Sequence, residues 1–271
     1  MARLLKHEKP LSKADGNKNN PNEIVINQHV IPCKHLLEWS QDGKMVSLVE
    51  VAGKNKKTLP ANCAYFCVMR LWDQWTETKM LKSNEDNYQS QAELIKNGVD
   101  TYNKEFLMAY YVLLCVRVWV ANKERPHYPS QMENLSYEAS KAELEQNEIE
   151  MDGSVHFILP TSDLDSQHMS REVVKMAMNQ AFLQWTRHME SETWHLYESD
   201  DESFILSDSF YNNFMENFHV LPINPKQVLI ANSTYLYLKA NDQLSSSHIN
   251  QVMERNALNY YVKAEGSSPE C

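Results

Sequence analysis

His29 stands three residues before Pro32 in the run Asn27-Gln28-His29-Val30-Ile31-Pro32. Its imidazole titrates near neutral pH, so it can take or give a proton in a reaction. Asp208 follows Ser207 at the end of a short apolar run, where side chains commonly project into a cleft. Arg117 interrupts the apolar stretch Phe106 to Ala121, and a charge so placed must find a carboxylate, a carbonyl or an anionic ligand. If His29, Arg117, Ser207, Asp208 and Asn250 share one pocket, His29 moves a proton, Asp208 orients it, and Arg117 holds a phosphate or developing negative charge. Metal-independent cleavage of RNA or of a nucleotide fits those roles. The alternative is structural: an Arg117–Asp208 salt bridge, with His29 capping a loop. A second functional class is a non-enzymatic interaction protein that presents the acidic stretches 131–152 and 190–202 to a partner.

Other chemistries have less to stand on. Cys63 and Cys67 are four apart, and Cys33 with His35 could complete a zinc set, but the tight Cys-x-x-Cys knuckle of common structural sites is missing. Glu192-x-x-His195 is half of a di-iron carboxylate motif without its second copy. No metal and no cofactor is expected. The six glycines, at 16, 43, 53, 98, 153 and 266, are never closer than ten apart. That spacing excludes a Walker-type phosphate loop, a dinucleotide fingerprint and a nucleophile elbow.

Charge divides the chain of 271 residues, whose net charge is −10. Residues 1–125 carry a net +4 and residues 126–271 a net −14. A polyanion such as RNA should therefore meet the first half, where Lys54, Lys56 and Lys57, with Arg70, Lys79 and Lys82 further on, lie close in sequence. Trp72 and Trp75, with Tyr65 and Phe66, could stack on bases there, although aromatics so dense commonly form core. The five cysteines have no framework spacing, and residues 1–22 hold no apolar stretch of signal-peptide kind. Phe106 to Ala121 is too short to span a bilayer and carries Arg117. A cytoplasmic protein with reduced thiols and no membrane partner is expected.

The elements that must position these residues read as one α+β domain, with a helical centre and a short antiparallel meander in the C-terminal half. Residues 1–22 form a mobile arm, 23–264 the domain and 265–271 a tail. A short helix is predicted from Pro32 to Trp39, a turn at Asp42-Gly43, and an alternating strand from Lys44 to Val51. Residues 54–57 make a basic loop. Helices follow at about Glu85–Lys96 and Lys104–Asn122, the second apolar on nearly all faces and therefore central. The acidic stretch 131–152 is an exposed helix or an insertion, and Val155–Leu159 a short strand. A long helix runs over Ser170–Met189. Strands are predicted around Trp194–Tyr197, Phe204–Leu206, Phe218–Leu221, Val228–Ile230 and Tyr235–Leu238. A closing helix capped by Ser245–Ser247 extends to about Lys263.

Four stretches in order resemble an uncharacterised bacterial domain family of unknown function, over about residues 27–264. They are Asn27 to Pro32 with Leu36-Leu37, Trp39-Ser40 and Asp42-Gly43; the central helix with Arg117; Trp194-His195-Leu196-Tyr197 followed by Phe204-Ile205-Leu206-Ser207-Asp208; and the closing helix with Ile249-Asn250 and Asn256-Ala257. The chain departs from that pattern at Phe210, where the family has proline, and at Val118-Trp119. Some members of the family lie among phage-defence genes. The resemblance thus implies a bacterial protein of phage-defence kind and supplies no mechanism; a defence or toxin-type effector is expected, and the alternative is a non-enzymatic protein that senses or sequesters a phage or host factor.

Overall fold

The computed structural model describes residues 22–126, 140–150, 163–199, 202–209 and 218–264. The first 21 residues, the proposed strand at Val155–Leu159, Phe210 and the tail beyond 264 lie outside them. The chain is a mixed α+β fold whose sheets are antiparallel.

Its centre is α3 (Lys104–Ala121). Asn103 caps the helix, its side chain accepting from the backbone N–H of Glu105 at 2.9 Å and of Phe106 at 3.3 Å. Twelve of its eighteen residues are buried, on all faces, as a run apolar all round requires. It packs against α2 (Lys82–Lys96) and the long α5 (Asp163–Met189).

Among the described residues, three sheets surround this centre. β1 (Asn27–His29) pairs with β4 (Cys67–Met69). β2 (Met45–Glu50) runs between β3 (Lys56–Pro60) and β9 (Tyr260–Lys263), and β6 (Leu206–Ser207) pairs with the far side of β9. β8 (Gln227–Ala231) pairs with β5 (Trp194–Glu198) and β7 (Val220–Asn224). The alternation in β2 shows why: Val46 and Leu48 enter the main core around α3, while Val49 enters a second core with Phe204, Ile249 and Met253. The Asp42-Gly43 turn that starts β2 is built by Asp42, whose Oδ1 accepts from Lys44 N at 2.8 Å and Met45 N at 2.7 Å. Gly43 takes φ +69°, a conformation that suits glycine.

Four expected elements are corrected. Tyr235–Leu238 is not a strand; it belongs to α6 (Asn232–Ala240), which buries Thr234 and Leu238 four residues apart and exposes Leu236 and Tyr237. The closing helix α7 (Ser246–Asn256) stops before Ala257, and Tyr260–Lys263, expected at its end, is β9. Lys56 and Lys57 lie in β3 rather than in a loop. Among the described residues the meander is three strands, because Leu206–Ser207 leaves it to pair with β9. The acidic stretch contributes a helix, α4 (Lys141–Glu150), but that helix buries Glu145 and Glu148.

Candidate functional site

A cleft of about 340 Å³ opens where β1, α1 (Cys33–Leu37), α2 and α3 meet. That is within the size range of small-molecule sites. His29 enters it from the end of β1 and Arg117 from the centre of α3. The opposite wall is a π-helical turn, Thr76–Leu81, that continues into α2. Thr78, Lys82, Glu85 and Gln89 line the cleft from that wall, repeating at the spacing of one helix face, with Glu77 and Asp86 beside them. Such π turns inside helices concentrate at functional sites, because the extra residue re-aims side chains.

Two ionisable groups of the cleft, His29 and Glu77, are shifted in opposite directions. His29 Nε2 lies 3.2 Å from the carbonyl oxygen of Ala61. A carbonyl only accepts, so Nε2 carries the proton and Nδ1 keeps the lone pair of a neutral ring. Burial, and then the Arg117 charge, lower the pKa of His29, against the opposing pull of the Ala61 bond and Glu85. His29 is therefore neutral at pH 7. Glu77 is shifted the other way: burial raises its pKa, although Arg117 and the 2.6 Å bond from Trp72 Nε1 oppose the shift.

Arg117 is only 2% exposed, as its apolar surroundings predict. Its Nη2 pairs with Glu85, and its guanidinium lies over the Trp72 ring. Nε and Nη1 are buried without a hydrogen-bond partner. Leaving buried N–H groups unpaired is costly, and a site that tolerates this holds unused capacity for an anion.

The remaining candidates lie elsewhere, so the five-residue pocket does not form. Asp208 lines a separate crevice of about 40 Å³, with Tyr65, Cys67 and Tyr260. Its carboxylate is already engaged: Oδ1 accepts from Leu258 N, and Oδ2 from Asn259 N and Asn259 Nδ2, each at 2.8 Å. Asp208 thus folds the turn between α7 and β9, and neither orients His29 nor pairs with Arg117. Burial raises its pKa despite these bonds. Ser207 Oγ donates to Ser209 O at 2.6 Å and accepts from Ser209 N at 3.1 Å, a local turn. Asn250 accepts from Ile205 N and donates to Ser203 O, each at 3.0 Å, tying α7 to the second core.

The basic segment is largely paired. Lys54 meets Glu254 at 2.7 Å and Lys57 meets Glu50 at 2.5 Å, while Lys56 is exposed. Trp72 and Phe66 are core residues. Cys33, Cys63, Cys67 and Cys115 form no disulfide among the described residues. His35 has both ring nitrogens occupied, Nε2 donating to Pro222 O at 2.8 Å and Nδ1 accepting from Tyr110 OH at 3.0 Å. It is thus unavailable to the proposed zinc set. Among the described residues no group of three or more His, Cys, Asp or Glu is placed to hold a metal ion. Nor does any described helix have the length and apolarity to cross a membrane.

Glu77 and Glu85 were missed by sequence reasoning. The signal available was Arg117 itself, which required a carboxylate, and Glu85 begins the neighbouring predicted helix. No family model, curated protein or solved structure matches this chain.

Proposed function

We propose that the cleft cleaves a phosphodiester of RNA or a small nucleotide without a metal ion, with His29 as base, Glu77 as acid and Arg117 as the anion anchor. The observation that carries this reading is the buried Arg117 guanidinium, with two unpartnered nitrogens, in a cleft that also holds a neutral imidazole. In the step proposed, His29 Nδ1 takes the proton of a 2′-hydroxyl. The freed oxygen bonds to phosphorus, the bond to the 5′-oxygen breaks, and protonated Glu77 supplies that oxygen with its proton. The products are a 2′,3′-cyclic phosphate and a 5′-hydroxyl. Arg117 stabilises the charge that builds on the phosphoryl oxygens, and the opposite pKa shifts of His29 and Glu77 suit base and acid. A phosphate entering the cleft competes with Glu85 for the guanidinium.

The size of the cleft favours one or two nucleotide units over a long duplex. A phage-directed effector role is part of the proposal and rests on the four resembling sequence stretches alone. The test is incubation of the protein with RNA oligonucleotides and nucleotides in EDTA. Wild type should yield cyclic-phosphate ends, and a folded His29→Ala variant should be slower by about 10² to 10⁴. Absence of cleavage across the panel, or undiminished cleavage in the variant, refutes the catalytic reading and leaves the interaction-protein reading.

A further inference from the structure

Helix α4 buries two of its carboxylates and exposes its isoleucine, while Lys141, Glu143 and Glu150 face out. Glu145 and Glu148 are 3% and 0% exposed, Ile149 is 40% exposed, and Leu144 is the one apolar side chain it buries. An amphipathic helix held by the hydrophobic effect would show the reverse.

The partners of Glu148 explain the inversion. Its Oε1 accepts from Arg171 Nε at 2.7 Å and lies 3.4 Å from His168 Nδ1. Its Oε2 accepts from Arg70 Nη2 at 3.2 Å and from the backbone N–H of Gln74 at 3.3 Å. All four groups belong to α5 or to the segment 70–76, and none to α4. Arg70 also reaches Glu145 at 3.1 Å. It does so from a left-handed backbone conformation, φ 41°, that non-glycine residues rarely adopt. These donors hold the Glu148 carboxyl far below the usual carboxylate range, against the effect of burial.

Two arginines, an imidazole and a backbone N–H converging on one pair of oxygens make an anion cage. The cage has capacity left over, since Arg70 Nε is buried without a partner. A carboxylate has two oxygens to offer, and a phosphate group has more. We propose that the cage is a phosphate-binding site, and that Glu148 occupies it as a displaceable internal substitute delivered by α4. Phosphate enters as α4 leaves, so α4 acts as an acidic plug. A buried ion pair contributes little net stability once desolvation is counted, and α4 adds one leucine, so the plug is held mainly by the charges a phosphate would replace. The proposal does not depend on His29, Arg117 or cleavage.

The test compares wild type with Glu148→Gln, which keeps the shape of the side chain and removes its charge. Binding of inorganic phosphate and of a short single-stranded oligonucleotide is measured by equilibrium dialysis, with hydrogen exchange of the α4 amides as the second readout. The variant should bind at least one of the two probes at least tenfold more tightly than wild type, and saturating that probe should speed α4 exchange in wild type. Inorganic phosphate sufficing identifies a free phosphate group as ligand, and binding of the oligonucleotide alone identifies a nucleic-acid phosphate; either supports the proposal. Equal affinities, no binding of either probe, or α4 exchange unchanged at saturation overturns it. Should the variant fail to fold, it is refolded in phosphate and in chloride of equal ionic strength. Recovery in phosphate alone supports the cage, and failure to recover in phosphate overturns it.

Discussion

Acidification from about pH 7 to 5 is expected to weaken the fold through His35, by an amount that its surroundings fix. The ring is fully buried among Trp39, Tyr88 and Tyr110, and burial lowers its pKa from 6.5 to about 4, although the bond to Pro222 opposes the shift. Protonation would also destroy the Nδ1 acceptor that Tyr110 uses. The folded state thus holds fewer protons than the unfolded state between those two values. Stability is complete above the unfolded pKa and falls as pH drops through that window. Linkage with these values gives a loss of about 2 kcal/mol between pH 7 and 5, and about 3 kcal/mol by pH 4. His219, also brought to about 4 by burial, adds a similar loss. Carboxyls with raised pKa, such as Glu77 and Asp208, contribute the opposite slope, so total stability is a poor readout. The informative quantity is the difference between wild type and His35→Gln in urea unfolding at the two pH values. The variant starts less stable but should lose about 2 kcal/mol less than wild type on acidification. Parallel pH profiles would refute the buried neutral imidazole.

Two further outcomes follow from the packing. Asp208→Asn removes one of the oxygens that hold Leu258 and Asn259, and should cost about 1–3 kcal/mol in chemical denaturation while leaving ligand binding in the His29 cleft unchanged. Leu113→Ala, at a fully buried position of α3, should cost about 2–5 kcal/mol through the cavity it leaves, read as a fall in the urea midpoint.

What could be read from sequence was whatever neighbouring residues decide. The all-apolar run of α3 could only be central, and a charge within it could only be paired, so the burial of Arg117 was legible. The alternation of β2 and the Asp42-Gly43 turn were equally local. What escaped depends on distant partners. Tyr235 to Leu238 suits a strand or a helix, and the burial of Thr234 together with Leu238 selects the helix. Asp208 looked like a cleft residue because it ends a strand, yet its role is set by N–H groups some fifty positions later. Glu145 and Glu148 read as solvent-facing charges, because nothing near them announces Arg70 and Arg171. In the cleft, His29 and Arg117 were found by type, whereas Glu77 needed the π-helical turn, which no simple periodicity reveals.

The central claim is that Arg117 is an anion anchor which Glu85 occupies in the free protein. Calorimetric titration with a 2′-deoxy dinucleotide, which lacks the attacking hydroxyl, measures this without catalysis. Wild type should bind, and Glu85→Gln should bind about tenfold more tightly because the competing charge is gone. Folded Arg117→Lys should bind more weakly, since an ammonium cannot present the guanidinium's planar set of donors. No binding by wild type, or equal affinity in all three proteins, would contradict the account.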